Sequence, residues 1–222
     1  MSIEHSDMKM FLRFRESNPE GTSCAILGDV SLHGNLYSLS GMDEFKNLLG
    51  FDTVHTFDIN GNPTHKINLN DPVPEELYSQ YDWVIDSGTL YCCFNIAMVW
   101  KNILSLLKES SCIVHTGNLS GFYGRGFYSL SPALFRDFYR ANNFEILGMG
   151  TKTRQVNQWH DFDPNNTYLN EVSTSCMKFQ ERSGSFIEFI PNDCMIYCFA
   201  KRDKSTDFVE PVPQHFIDTD GA

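Results

Sequence analysis

The chain has 222 residues, 41% of them apolar and 14% aromatic, enough for one domain with a sizeable core and too apolar for a disordered protein. Its formal net charge of -11 argues against sequence-independent nucleic-acid binding and against an anionic membrane as partner, because both need Lys and Arg to neutralise phosphates. No run of 18 apolar residues occurs, and the charged stretch "MSIEHSDMKMFLRFRESNPEG" has no apolar signal core, so a cytoplasmic protein with no membrane span is expected.

In chain order, residues 1–22 read as an arm or helix running into Pro19-Glu20-Gly21. "SCAIL" (Ser23–Leu27) reads as a buried strand, followed by Gly28 and the polar loop to Gly34. "MDEFKNLLG" carries apolar residues at helical spacing with Gly50 as its stop. "TVHTFD" (Thr53–Asp58) is the next strand, and "HKINLN" (His65–Asn70) a short one before Pro72 and Pro74. "WVIDSG" (Trp83–Gly88) is strand-like and ends in polar residues. "NIAMVWKNILSLLKE" (Asn95–Glu109) is the clearest helix, with Trp100 and its leucines facing the core. "SCIVHTG" (Ser111–Gly117) is a strand, and "SPALFRDFYRANN" (Ser131–Asn143) a helix with Ser131 as N-cap and Pro132 in its first turn. "FEILGMGT" and "CMIYCFAKR" read as the last two strands. Residues 152–193 between them read as a long polar insertion, and 202–222 as a C-terminal tail.

Continuously apolar strands alternating with helices predict an α/β fold with a doubly wound, mostly parallel sheet. Ligands bind such sheets at the carboxyl ends of the strands. The residues there are Gly28 and Asp29, then Asp58, then Asn68, then Asp86, Ser87 and Gly88, then Thr116 to Asn118. A glycine turn, with an acid some thirty residues on at the tip of the next strand, suits a nucleoside: backbone approaches the ligand and the carboxylate accepts ribose hydroxyls. The seven cysteines are an odd number without zinc-ribbon spacing, so reduced thiols and no metal site are expected. "HDFD", His160 to Asp163, reads as a surface loop.

From about Ser23 to Lys201 the chain resembles the class I S-adenosylmethionine (SAM)-dependent methyltransferases, and within them a small bacterial branch of carbohydrate or secondary metabolism. The resemblance rests on "YDWVIDSGTLYCCFN" (Tyr81–Asn95), "NILSLLKESSCIVHTGN" (Asn102–Asn118), "GRGFYSLSP" (Gly124–Pro132) and "INLNDPVP" (Ile67–Pro74). It implies a Rossmann-like methyltransferase fold of seven strands, the last antiparallel. It implies SAM as cofactor, with Gly28 in the first motif, Asp58 on the ribose, Asn68 to Asn70 near the adenine and Asp86 to Thr89 at the strand-four site. Asp29, Ser87 and Gly88 join this cofactor set. The chain departs from the pattern at Val30 and Leu32, where glycines would leave more room, at Tyr91-Cys92 in place of "EH", and at Arg125 in place of the His of "HGFY".

Methyl transfer needs alignment of the acceptor and exclusion of water more than a strong base. Asp86, His115 and Arg125 are the catalytic candidates. Tyr91, Tyr123, Arg125 and Tyr128 are the substrate-binding candidates, with "GFYGRGFY" (Gly121–Tyr128) as a lid. The expected acceptor is a small molecule: a sugar, a nucleotide-linked sugar or a secondary metabolite. The rival reading is a methyltransferase-like protein that binds a ligand or a partner without methylating, and another reaction on the same fold is a third.

Overall fold

The computed structural model describes residues 2–32, 39, 41–122, 124–153, 158–162, 193–204 and 206–213. His33, Gly34 and Tyr123 lie outside the described residues, as do 163–192. The strands are β1 (Ser2–Ile3), β2 (Ser23–Leu27), β3 (Ser31–Leu32), β4 (Thr53–Asp58), β5 (His65–Lys66), β6 (Tyr81–Asp86), β7 (Leu107–Ser120), β8 (Phe144–Thr153), β9 (His160–Phe162) and β10 (Cys194–Arg202). The helices are α1 (His5–Ser17), α2 (Met42–Leu49), α3 (Ile96–Leu106) and α4 (Pro132–Ala141). An eight-stranded sheet runs β5-β4-β2-β6-β7-β10-β8-β9, and β1 and β3 form a separate parallel pair. Neighbours from β5 to β7 are parallel, while β10 runs antiparallel to β7 and β8.

The side chains of each central strand alternate between two cores. Ala25, Leu27, Val84 and Ile113 pack with Val99, Trp100, Phe135 and Phe138 of α3 and α4. Cys24, Ile26, Trp83, Ile85 and Val114 pack with Met8, Phe11, Phe14, Phe45 and Leu49 of α1 and α2 on the other face. The fold is therefore doubly wound. The buried Met8, Met10, Phe11 and Phe14 make α1 part of the body, each side chain contributing about 1.5–3 kcal/mol. Phe14 stacks on Phe199, which in turn stacks on Trp83.

Local chemistry sets the helix limits. Asn95 caps α3, its side chain accepting from Met98 N, and Ser131 caps α4 by accepting from Leu134 N. Gly50 ends α2 in the left-handed conformation at φ 67°. The structure shifts several expected limits. α3 stops at Leu106 because the backbone turns extended at Leu107, so β7 runs 14 residues, longer than the expected Ser111–Gly117. The strand expected over His65–Asn70 shrinks to two residues, because Asn68 Oδ1 accepts from Asn70 N and folds that stretch into a turn. Within 152–193, Lys152 and Thr153 belong to β8, and His160–Phe162 form β9 instead of a surface loop. β9 adds an eighth strand to the seven expected. It is held by Asp161, which accepts from Arg13 Nη1 at 2.7 Å and Tyr197 Oη at 2.6 Å. In the C-terminal segment, Val209 N donates to the buried Asn142 side chain, tying the chain to the end of α4. Among the described residues, no helix is long and apolar enough to cross a membrane.

A buried ion pair fastens α1 to the sheet. Lys152 is 4% exposed, and its Nζ donates to Asp7 Oδ1 at 2.7 Å and Ser6 Oγ at 2.9 Å, with Glu4 Oε2 at 3.5 Å. Removing one member of such a pair strands the other charge in the core. Lys152→Met is therefore expected to lower the unfolding free energy by about 3–5 kcal/mol in urea titrations. Pairing it with Asp7→Leu should restore part of the loss. An unchanged midpoint in the single variant would show that Asp7 reaches water.

Candidate active site

A cavity of about 760 Å³ opens at the carboxyl ends of β4, β6 and β7. One half is walled by Phe57, Asp58 and Ile59 at the end of β4, by Ile67 to Asn70, and by Ser87 to Thr89. The other half is walled by Tyr91 to Cys93, Thr116, Asn118, Phe122, Arg125 and Gly126. Glu4, Asp7, Lys152 and Met195 close its far side.

Asp58 is held by the turns around it. Its Oδ2 accepts from Asp29 N at 2.7 Å and its Oδ1 from Asn60 N at 2.9 Å. Each oxygen keeps acceptor capacity for a further donor. Asn68 Oδ1 is taken by Asn70 N and Nδ2, and Asn70 Oδ1 accepts from Asn95 N, linking this wall to the start of α3. Ser87 lies in the wall with 5% exposure, and its buried hydroxyl has no partner among the described residues.

Three expectations around the glycine turn change. Gly28 holds φ 110° and its N donates to Phe57 O at 2.7 Å, but it does not line the cavity. Asp29 leaves the expected cofactor set. Its Oδ2 accepts from Asn62 N at 3.0 Å, so the side chain turns into a separate cavity of about 440 Å³ beside α2. Val30 and Leu32 pack against the α1–α2 core and line that second cavity, so their bulk takes no room from the main one.

Asp86 and His115 are corrected more strongly. Both have no exposed surface and neither lines the cavity. Asp86 Oδ1 accepts from the backbone N of Gly88 (3.2 Å), Thr89 (2.7 Å) and Leu90 (3.1 Å). Its Oδ2 lies 2.8 Å from His115 Nδ1, and His115 Nε2 meets the Tyr139 hydroxyl. With Nδ1–H donating to the carboxylate, Nε2 accepts from Tyr139. Burial pushes the Tyr139 phenol well above its ordinary range, so it stays protonated and able to donate. Trp100 and Phe135 cover the imidazole. Neither residue lines the cavity, so in this structure their hydrogen bonds support its wall from behind.

The loop after β7 lies on the ligand side, as its position in a doubly wound sheet requires. It is docked on the Leu90–Cys92 turn, not swinging free. Tyr91 O accepts from Phe127 N at 2.8 Å and Tyr128 N at 3.3 Å. Gly126, at φ 73°, sits so close to Tyr91 that a Cβ would collide with its ring and carbonyl. Arg125 and Tyr91 line the cavity, whereas Tyr128 does not: its hydroxyl donates to Phe94 O at 2.7 Å. Burial lifts the Tyr91 phenol to about 12, which keeps it protonated.

Glu4, Asp7 and Lys152 were not foreseen from sequence. Asn118 was legible only as a residue at a strand end. Its Nδ2 donates to Gly121 O at 3.2 Å, which fixes the amide orientation and leaves Oδ1 buried without a donor among the described residues.

No protein-family model and no curated protein matches this chain. Solved structures do resemble it. One is a 1,6-didemethyltoxoflavin-N1-methyltransferase from Burkholderia thailandensis, bound to 1,6-didemethyltoxoflavin and S-adenosylhomocysteine. It has a TM-score of 0.52 at 9% identity over 89% of this chain and 78% of that one. A second is described as a putative methyltransferase from Bacillus halodurans, with a TM-score of 0.51 at 9% identity over 90% of this chain and 100% of that one. A third is a branched-chain polyamine synthase from Thermus thermophilus in complex with N4-aminopropylspermidine and 5'-methylthioadenosine. It has a TM-score of 0.50 at 12% identity, and this chain spans 93% of itself and 58% of that one. At these identities the likeness establishes the fold alone, a Rossmann-like fold shared with methyltransferases of known structure.

Two cysteines in the wall offer a chemical probe of the site. Burial, with the Asp86 charge adding to it, lifts the Cys93 thiol to about 11 and the Cys92 thiol above its usual value. A raised thiol value means little thiolate at neutral pH. Iodoacetamide is expected to label both slowly at about pH 7.5, with the Cys93 rate still climbing about tenfold per pH unit up to about 11. Peptide mass spectrometry across that range checks it, and fast labelling at neutral pH would show that the wall stabilises thiolates.

Proposed function

We propose that this chain is an enzyme that transfers a methyl group from SAM to a small-molecule acceptor. The carrying observation is one cavity at the carboxyl ends of β4, β6 and β7 in this fold, with a fixed carboxylate at one end and a separate polar wall at the other. The walls suit the cofactor. Asp58 offers acceptor capacity to a pair of ribose hydroxyls, and the orphaned Ser87 hydroxyl needs a partner that a ligand can supply. Ile59, Ile67 and Leu69 give the same half apolar surface for a flat base. Asn68, Ser87 and Gly88 complete this set, and Gly28 supports it from behind through its bond to Phe57 O.

SAM supplies the electrophilic methyl when bound. What the chain does is hold, orient and dry the reactants. Tyr91 and the docked loop cover the cavity above the Ser87–Thr89 wall. Arg125 offers a fixed positive charge to an anionic acceptor, and its role is positioning and binding rather than proton transfer. No exposed base is required, because an alcohol or amine can release its proton to water after attack. The resemblance read from the sequence suggests an acceptor among sugars, nucleotide-linked sugars and secondary metabolites. The rival, a binder that does not methylate, loses one support, since Val30 and Leu32 face away from the cavity.

Asp58→Ala tests the cofactor half. Losing a charge-assisted contact to the ribose should weaken S-adenosylhomocysteine by about 1.5–3 kcal/mol, roughly 10- to 150-fold, in titration calorimetry. Equal affinity in the variant removes Asp58 from the site. No binding by the wild type decides for the rival.

A further inference from the structure

We propose that the methyl acceptor is a small aromatic acid: a planar ring carrying an anionic group and a hydroxyl or amino substituent. The inference deepens the methyl-transfer reading and rests on it. The ring is received by Phe94 and Phe127, the anion by Arg125 and the substituent by Asn118.

Phe94 and Phe127 are 71% and 63% exposed, the two most exposed large apolar side chains among the described residues. They are in contact, edge to face, with centroids 5.4 Å apart and planes at 82°. Cys93 and Gly126, the residues just before each ring, line the cavity. This surface is built into the rim. Phe127 N is held by Tyr91 O at 2.8 Å, and Phe94 O receives the Tyr128 hydroxyl at 2.7 Å. Two rings held in water are unfavourable until a flat apolar body covers them, and aromatic rings prefer an aromatic partner in offset or edge-to-face contact.

Arg125, two residues before Phe127 in the same loop, lines the cavity. Its guanidinium makes no ion pair or hydrogen bond among the described residues, whereas the other cation in the wall, Lys152, is taken by Asp7 and Glu4. A planar fork in the cavity wall matches a carboxylate. Asn118 also lines the cavity, is 4% exposed, and its Oδ1 has no donor among the described residues. An acceptor atom there selects an O–H or N–H group. That substituent is the nucleophile: its lone pair forms the new bond to the methyl carbon as the carbon–sulfur bond breaks. The bonding pair stays on sulfur, leaving a neutral thioether, and the nucleophile's proton passes to water.

Ligand-observed NMR on the full chain saturated with S-adenosylhomocysteine tests this. The probes are 4-hydroxybenzoate and indole-3-acetate, their primary amides, trans-4-hydroxycyclohexanecarboxylate, and benzoate. Both aromatic acids are expected to bind at least about tenfold more tightly than their amides or the saturated acid. Arg125→Ala should erase the preference for acid over amide. Phe94→Ala with Phe127→Ala should erase the preference for the aromatic over the saturated ring. Asn118→Leu, checked for folding by circular dichroism, should erase the advantage of 4-hydroxybenzoate over benzoate. Equal binding of acids and amides, or no binding of either acid to protein that holds S-adenosylhomocysteine, overturns the proposal. So does self-association that the two Phe→Ala changes abolish, because the rings then serve an interface between copies. Binding of the acids without S-adenosylhomocysteine binding overturns the methyl-transfer reading and leaves the acid site standing.

Discussion

The site is assembled around one buried carboxylate. Asp86 ends the central strand β6 with no exposed surface, which is tolerable only because every direction around it offers a donor. One oxygen gathers the amides of Gly88, Thr89 and Leu90, and the other faces His115 on the neighbouring strand β7. The amides fold residues 87–90 into a tight turn. Thr89 Oγ1 then reaches Leu27 O at 2.7 Å and ties that turn to the end of β2. The turn leads into Leu90–Cys92, whose Tyr91 carbonyl carries the backbone of the covering loop. Sheet, cavity wall and the loop after β7 thus meet through a short series of hydrogen bonds that starts at Asp86.

That arrangement explains why a histidine at a strand end is sealed. A lone carboxylate in the core would be costly. An imidazole set between it and Tyr139 satisfies three groups at once. Tyr139 comes from α4, so the chain of bonds also pins that helix to the sheet. The same residue types at the same strand ends would suit acid–base chemistry if a cavity reached them. Exposure, not identity, separates the two roles.

This is also where legibility from sequence ended. The strand at Ser23–Leu27 and the helix caps at Asn95 and Ser131 were readable, because apolar spacing and capping chemistry act over a few residues. The carboxyl-end position of the site followed from the alternation of strands and helices. The side-chain directions did not. Asp29 and Asp58 both follow strands, yet a backbone bond from Asp29 N to Asp58 leaves one carboxylate in the cavity wall and sends the other into a separate cavity. The contribution of α1 was invisible for another reason. Asp7 and Lys152 are 145 positions apart, and no local pattern announces such a pair.

The two halves of the cavity differ in origin in a way that bears on specificity. The half around Asp58 and Ser87 is made by the ends and first turns of parallel strands, whose positions the sheet dictates. The opposite half is made by pieces added to that frame: α1 with Glu4 and Asp7, the end of β8 with Lys152, and the loop carrying Arg125 and Phe127. Backbone bonds from Phe127 N and Tyr128 N to Tyr91 O tie the end of the added loop to the frame. On the proposed acceptor reading, side chains tied down in this way are positioned before the acceptor arrives, which lowers the ordering cost of binding.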